Sequence, residues 1–125
     1  MPVLAALTAA DLRQVVLRFR DALRDHQEEL NRLNVYPVPD GDTGTNMLLT
    51  LRAGLSAGET AGTEAGIGLL AERIARGALL GARGNSGVIL SQMIRGAAEA
   101  MAGLADATPA DLARTWLCQE ASLAP

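Results

Sequence analysis

The sequence predicts an all-α fold, on three observations. Hydrophobic residues make up 49% of the chain, yet there is one Phe, one Tyr and one Trp. The core must therefore be built from Leu, Ala, Val, Ile and Met, a mixture weighted toward helix formers. Apolar residues also recur at spacings of three and four along most of the chain, and no alternating run longer than a few residues marks a strand.

Each element has its own signal. Thr8 followed by Asp11 forms a capping-box-like start, with an acid in the first turn where the helix dipole favours it. From there Leu12, Val15, Val16, Phe19, Leu23, His26, Leu30 and Leu33 form one stripe about six turns long, predicting a single helix that ends near Asn34. His26 on this stripe reads as a packing residue rather than a proton-transfer group. Pro37 and Pro39 forbid helix and push Tyr36 and Val38 into extended geometry. A second helix starts within 42–46 and runs through Met47, Leu48, Leu51 and Leu55. The segment "SAGETAGTEAG" (56–66) is small, polar and glycine-rich, and predicts a loop. A third helix covers about 67–80, with Ile67, Leu70, Ile74 and Leu79. "GARGNSG" (81–87) interrupts it, and "VILSQMIRGAAEAMAGL" resumes as a fourth. Thr108, Pro109 and Asp111 mark a fifth start, carrying Leu112, Trp116 and Leu117.

Composition excludes several classes. A chain of 125 residues is one domain at most, able to bury about two thirds of its unfolded surface. The net charge is −3, every basic residue is Arg, and no basic run occurs, which argues against binding duplex nucleic acid. The single Cys118 excludes an internal disulfide and a Cys-based zinc site, as suits a reducing cytoplasm. No apolar run approaches the roughly 18 residues that span a bilayer, and "MPVLAAL" is too short and lacks the basic flank of a signal peptide. A soluble cytoplasmic protein is the expectation.

Two loops carry chemistry. In "NVYPVPDGDTGTNM" (34–47), Asp40 and Asp42 flank Gly41 on a loop stiffened by two prolines. Paired carboxylates on such a loop suit a hard cation such as Mg²⁺, which takes one or two carboxylates plus phosphate oxygens and water. The spacing fails an EF-hand, with Thr45 at the turn position and Leu51 at position twelve. The competing reading makes Asp42 the N-cap of the second helix and leaves Asp40 solvated. In "GARGNSG", Gly81, Gly84 and Gly87 recur every three residues before a helix, a pattern whose amides, with the Ser86 hydroxyl, suit an anion. It is not a Walker A loop, which needs Lys, nor the dinucleotide fingerprint. The competing reading is a tight helix–helix turn capped by Asn85 and Ser86. Together the loops describe a clamp for Mg²⁺ and a polyphosphate, provided they meet. Spacing does not decide that.

"LNVYPVPDGDTGTNM" (33–47) with "RGALLGARGNSGVILSQMIRG" (76–96) closely resembles the ATP-binding domain of bacterial fatty-acid kinase catalytic subunits. That domain is related to the L subunit of dihydroxyacetone kinase, in the group called DAK2 or DhaL. The resemblance covers most of residues 11–112, and the proline-containing loop points to the fatty-acid kinase branch. It implies an antiparallel helical barrel holding ATP and two Mg²⁺ ions at one end. Asp40 and Asp42 would be metal ligands, with Asn34 as the nearest counterpart of a third aspartate, at a different spacing. Thr43, Gly44 and Asn46 would lie beside the phosphates or metal, Gly84, Asn85, Ser86 and Gly87 would cradle the phosphates, and Met47 would line the adenine side. No covalent nucleophile is implied. The family reaction transfers the γ-phosphate to a fatty-acid carboxylate presented by a separate fatty-acid-binding protein, giving an acyl phosphate.

The resemblance also implies about eight helices, of which five can be placed. Residues 113–125 look unlike the family's continuation, so the chain reads as a partial domain whose activity alone is open. Unclosed apolar faces would favour self-association into a homo-oligomer. The rival readings are the nucleotide-binding subunit of a dihydroxyacetone kinase and a helical interaction module without catalysis. Several residues keep two readings. Arg83 either neutralises phosphate or is solvated, and Arg76 and Arg95 flank the glycine loop on the same terms. Ser91 and Gln92, one turn into the fourth helix, either face the site or turn away from it. Tyr36 reads as a packing anchor for the acidic loop, and Trp116 beside Cys118 as helix packing.

Overall fold

The computed structural model describes residues 6–33 and 41–113. Asn34, Tyr36, Pro37, Pro39 and Asp40, together with Trp116, Leu117, Cys118 and almost all of the tail 113–125, lie outside the described residues. The described elements are α1 (Ala9–Asp25), α2 (Gln27–Leu33), α3 (Thr43–Gly58), a single 3₁₀ turn (Glu59–Ala61), α4 (Ile67–Leu80) and α5 (Gly84–Ala100). Residues 109–113 open a further helix behind Thr108. Among the described residues there is no strand, and the one β-bridge, Leu7 to Ala107, ties the start of the fold to its far end. The all-α prediction holds.

The predicted capping box at Thr8 forms, and the predicted start at Thr108 is a capping box as well. Thr8 Oγ1 accepts from the Asp11 amide at 3.1 Å, and the Asp11 carboxylate accepts from the Thr8 amide at 3.0 Å. Thr108 and Asp111 repeat the exchange at 3.3 and 2.9 Å. α4 begins and ends where periodicity placed it. Three expectations are corrected. The first helix is two: His26 ends α1 at φ −107°, ψ 10°, with its amide on the Ala22 carbonyl, and its own carbonyl accepts from Leu30 to begin α2. His26 is accordingly on the surface, 3.4 Å from the Glu29 carboxylate, and does not pack in the core. The predicted loop at 56 starts late, because α3 continues to Gly58 before the 3₁₀ turn. Finally, α5 begins at Gly84 and stops at Ala100, so most of the glycine loop is its first turn.

α3 is the central element and packs against α1, α2, α4 and α5. Its approach to α4 depends on small side chains. A Cβ on Gly54 would lie 2.8 Å from the Ile74 carbonyl oxygen, and one on Gly77 would collide with Ala53 and Ala57. Removing side chains at the crossing lets the backbones close, and dispersion contacts accumulate along both helices. Two apolar clusters result. Leu23, Leu48, Leu51 and Leu90 form one, with Met47 and Leu30 at its edge. Ile67, Ala71, Ala75, Ala98, Met101 and Ala107 form the other. The first lies directly beneath the N-termini of α3 and α5, and so anchors the end of the molecule where the two motifs emerge.

Candidate functional site

The N-termini of α3 and α5 sit side by side. Ser86 Oγ donates to the Thr43 carbonyl at 3.3 Å, bridging the first turns of the two helices. A Cβ on Gly84 would collide with the Asn46 side-chain amide, so the glycine loop lies against α3 with no room to spare. Gly84 itself has φ +66°, a conformation that L side chains rarely adopt, which gives the position a second reason to be glycine. The two motifs therefore meet, as the clamp requires and as spacing left undecided.

The N-termini of α1, α3, α4 and α5 handle their first amides differently. α1 uses its capping box. At α4, the amides of Ile67 and Gly68 donate to the carbonyls of Ala105 and Leu104 at 2.9 and 3.0 Å. At α3, the Thr45 amide donates to Asn31 Oδ1 at 3.1 Å, while Asn31 Nδ2 and Gln27 Nε2 both donate to the Thr45 hydroxyl, at 3.1 and 2.8 Å. α5 opens on Arg83 with no side-chain cap. The amides of Gly84, Asn85 and Ser86 have no partner within an α-helix, and the dipole adds positive potential there. Gly84 and Asn85 are exposed to solvent, and the exposed Arg83 stands beside them.

The acidic side is partly in view. Asp42 occupies the N-cap position of α3, at φ −121° and ψ 9°, but its side chain makes no capping hydrogen bond. Its backbone carbonyl accepts from the Asn46 amide at 2.9 Å. Capping of α3 falls instead to Asn31, so the reading of Asp42 as the side-chain cap is not what the fold uses. Asp42 and Thr43 are half-exposed at the same helix end. Gly44 is buried against α2: a Cβ there would lie 2.5 Å from the Gln27 carbonyl oxygen. Met47 packs at the edge of the leucine cluster. Gly87 is buried against Thr50, and Ser91 is fully buried with its hydroxyl on the Val88 carbonyl at 2.7 Å. Ser91 thus serves its own helix, and of its two readings the one turned away from the site holds.

Three site-building residues escaped the motif reading: Thr50, Asn31 and Gln27. Thr50 is wholly inaccessible; its hydroxyl donates to the Asn46 carbonyl at 2.7 Å and accepts from the Arg83 amide at 3.1 Å. A signal existed for each. Thr50 is a polar residue among the apolar positions of α3, and Gln27 and Asn31 are polar neighbours four apart on one helix face.

The N-terminus of α5, which has no side-chain cap, is thus locked against the aspartate-bearing N-terminus of α3. The DAK2 domain profile matches residues 37–122, and the chain belongs to that family. It is 49% identical over 83 residues to an uncharacterized protein of Staphylococcus saprophyticus, and 48% identical over 82 residues to one of Staphylococcus aureus. Both alignments cover 66% of this chain and 15% of the relative, so the chain spans a small part of the length of these proteins.

Proposed function

We propose that this chain is the nucleotide-binding part of a DAK2-type kinase, holding Mg²⁺·ATP where α3 and α5 meet. One observation carries the reading: the bridged first turns, Ser86 to Thr43 at 3.3 Å, join an uncapped run of amides to an aspartate-bearing terminus. The donor set fits the group. Backbone amides of Gly84, Asn85 and Ser86, with the Arg83 guanidinium, suit phosphate oxygens. Asp42, with Asp40 two positions before it, supplies the hard oxygen ligands that Mg²⁺ takes, and the Asn46 side chain borders Gly84 of the glycine turn. Asn34 is the third ligand candidate by resemblance.

When bound, Mg²⁺·ATP supplies a γ-phosphoryl group whose charge is spread over its oxygens. The residues of this chain position that group and neutralise its charge, and need no covalent nucleophile. The α5 amides orient the phosphate chain, the aspartates fix the metal, and Met47 borders the adenine side. The acceptor is a fatty-acid carboxylate presented by a separate lipid-binding protein, giving an acyl phosphate. Support for this acceptor comes from the proline-containing form of the acidic loop. A dihydroxyacetone acceptor is the alternative, and substrate assays on a full-length relative distinguish the two.

Titration calorimetry of ATP into the 125-residue chain, with Mg²⁺ and then with EDTA, tests the reading. Binding that depends on Mg²⁺ is expected. Absence of binding in both conditions would leave a helical module that keeps the family fold without its ligand.

A further inference from the structure

We infer that Thr50 is a positioning residue for the phosphate-binding turn, setting the height of the α5 N-terminus relative to that of α3. The inference rests on the nucleotide reading above and deepens it. Thr50 lies two turns inside α3, out of reach of any ligand at the helix ends, with no accessible surface. Its hydroxyl nevertheless joins the two motifs. It donates to Asn46, whose side chain borders Gly84, and it accepts from the amide of Arg83, the residue on which α5 opens.

The geometry makes this hydroxyl specific. Arg83 is the N-cap of α5 and its amide is directed at Thr50, while the amides of Gly84, Asn85 and Ser86 that follow have no partner within the helix. Holding the Arg83 amide at 3.1 Å fixes the direction in which the amides of Gly84, Asn85 and Ser86 face. The end of that same turn touches Thr50 again: a Cβ on Gly87 would collide with its hydroxyl. Contact at both ends of one turn leaves the turn no freedom to slide or rotate against α3. A hydroxyl is required because the partner is a backbone donor in a part-buried place, which a hydrocarbon would leave unsatisfied. A β-branched residue is suited because branching restricts χ1 in a helix, and the bond to the Asn46 carbonyl four residues back selects the Thr rotamer that aims the oxygen at Arg83. Thr meets both conditions. Valine keeps the shape without the hydroxyl, and serine keeps the hydroxyl without the stiffness.

The test compares T50V, T50S and a remote control, Ile67→Val, in the other apolar cluster. Mg²⁺·ATP affinity is measured by calorimetry, thermal stability is measured in EDTA, and amide ¹H–¹⁵N shifts are recorded for residues 83–87. T50V is expected to weaken Mg²⁺·ATP binding about tenfold, the factor that loss of one positioned hydrogen bond corresponds to. It should also move the amide shifts of Arg83 to Ser86. T50S is expected to restore most of the affinity, and I67V to leave it unchanged even where its melting temperature falls as far. Wild-type affinity in T50V would overturn the inference and leave the nucleotide reading standing. Equal losses in T50V and I67V would reduce Thr50 to a core residue and also overturn it. If the wild-type chain fails to bind Mg²⁺·ATP, the reading and this inference fall together. Should T50V not fold, hydrogen exchange on the wild type decides the matter. Mg²⁺·ATP should slow exchange of the Arg83 amide, and an unchanged rate would show that the Thr50 contact is not coupled to the site.

Discussion

Asn31 holds Thr45 by two hydrogen bonds, accepting from its amide and donating to its hydroxyl, each at 3.1 Å. A side chain of α2, the helix that follows the break at His26, thereby caps α3. An unbroken helix would carry on along the α1 axis, whereas the kink turns Gln27 and Asn31 toward the α3 terminus.

Asn31→Ala should therefore cost about 1 kcal/mol of folding stability, within the range of cap losses. Chemical denaturation measures it. Asn31→Asp keeps the acceptor for the Thr45 amide and should cost less. A neutral Asn31→Ala would show that α3 needs no cap from α2.

Gly44 and Gly62 separate two reasons for glycine. A Cβ on Gly44 meets the Gln27 backbone oxygen at 2.5 Å, while Gly62, at φ +81°, has nothing within 4 Å. Gly62→Ala should cost about 1–3 kcal/mol from backbone alone, because φ +81° with ψ 169° is a region essentially confined to glycine. Gly44→Ala should cost about 1–3 kcal/mol from overpacking, and only this variant should loosen α2 from α3. Urea midpoints measure both costs, and amide exchange in α2 separates the two causes.

Asp40→Asn should lower Mg²⁺-dependent nucleotide affinity while leaving the melt in EDTA nearly unchanged. Its two readouts separate ligand from scaffold. A large loss of metal-free stability would assign the acidic loop a structural role.

Asp21 accepts from Arg20 at 2.8 Å, with Arg24 at 3.6 Å. The Arg20 hydrogen bond, with the nearby guanidinium charges, lowers its pKa below the ordinary aspartate value. A lowered folded-state pKa contributes stability above the unfolded value, and that contribution is lost as pH falls through the folded one. The window is acidic, below about pH 4. Carboxyl chemical shifts should place the Asp21 midpoint lower than in Arg20→Gln, and equal midpoints would contradict the pairing.

Leu51 and Leu80 bracket the core. Leu51 is 1% exposed and Leu80 81%. Leu51→Ala should cost about 2–5 kcal/mol and Leu80→Glu no more than about 0.5 kcal/mol, read from denaturation midpoints.

Much of this was legible in the order of residues. The all-α class, the capping box at Thr8, the helix start at Thr108, the bounds of α4 and the start of α3 within 42–46 follow from short-range physics: dihedral restriction by proline, side-chain caps within three residues, and apolar spacing. The motif residues were legible too, because paired aspartates and a glycine-punctuated turn announce themselves within a few positions. The break at His26 was not, since its stripe continues across the kink and nothing local marks it. Nor was the burial of Ser91, whose hydroxyl reads the same whether it turns to its own helix or to a ligand.

The sequence by itself determined which segments are helices, where most of them start, and which two motifs carry the paired carboxylates and the glycine-punctuated turn. Only the tertiary structure decided that those motifs face each other, that Asn31 rather than Asp42 caps α3, and that Thr50 joins α3 to α5. The reason is separation along the chain. Arg83 meets Thr50 across 33 residues, and Ser86 meets Thr43 across 43. Helical periodicity tells which face of a helix is apolar but not which other helix covers it. That pairing is set by how closely whole surfaces can pack, with Gly54, Gly77 and Gly87 supplying the room.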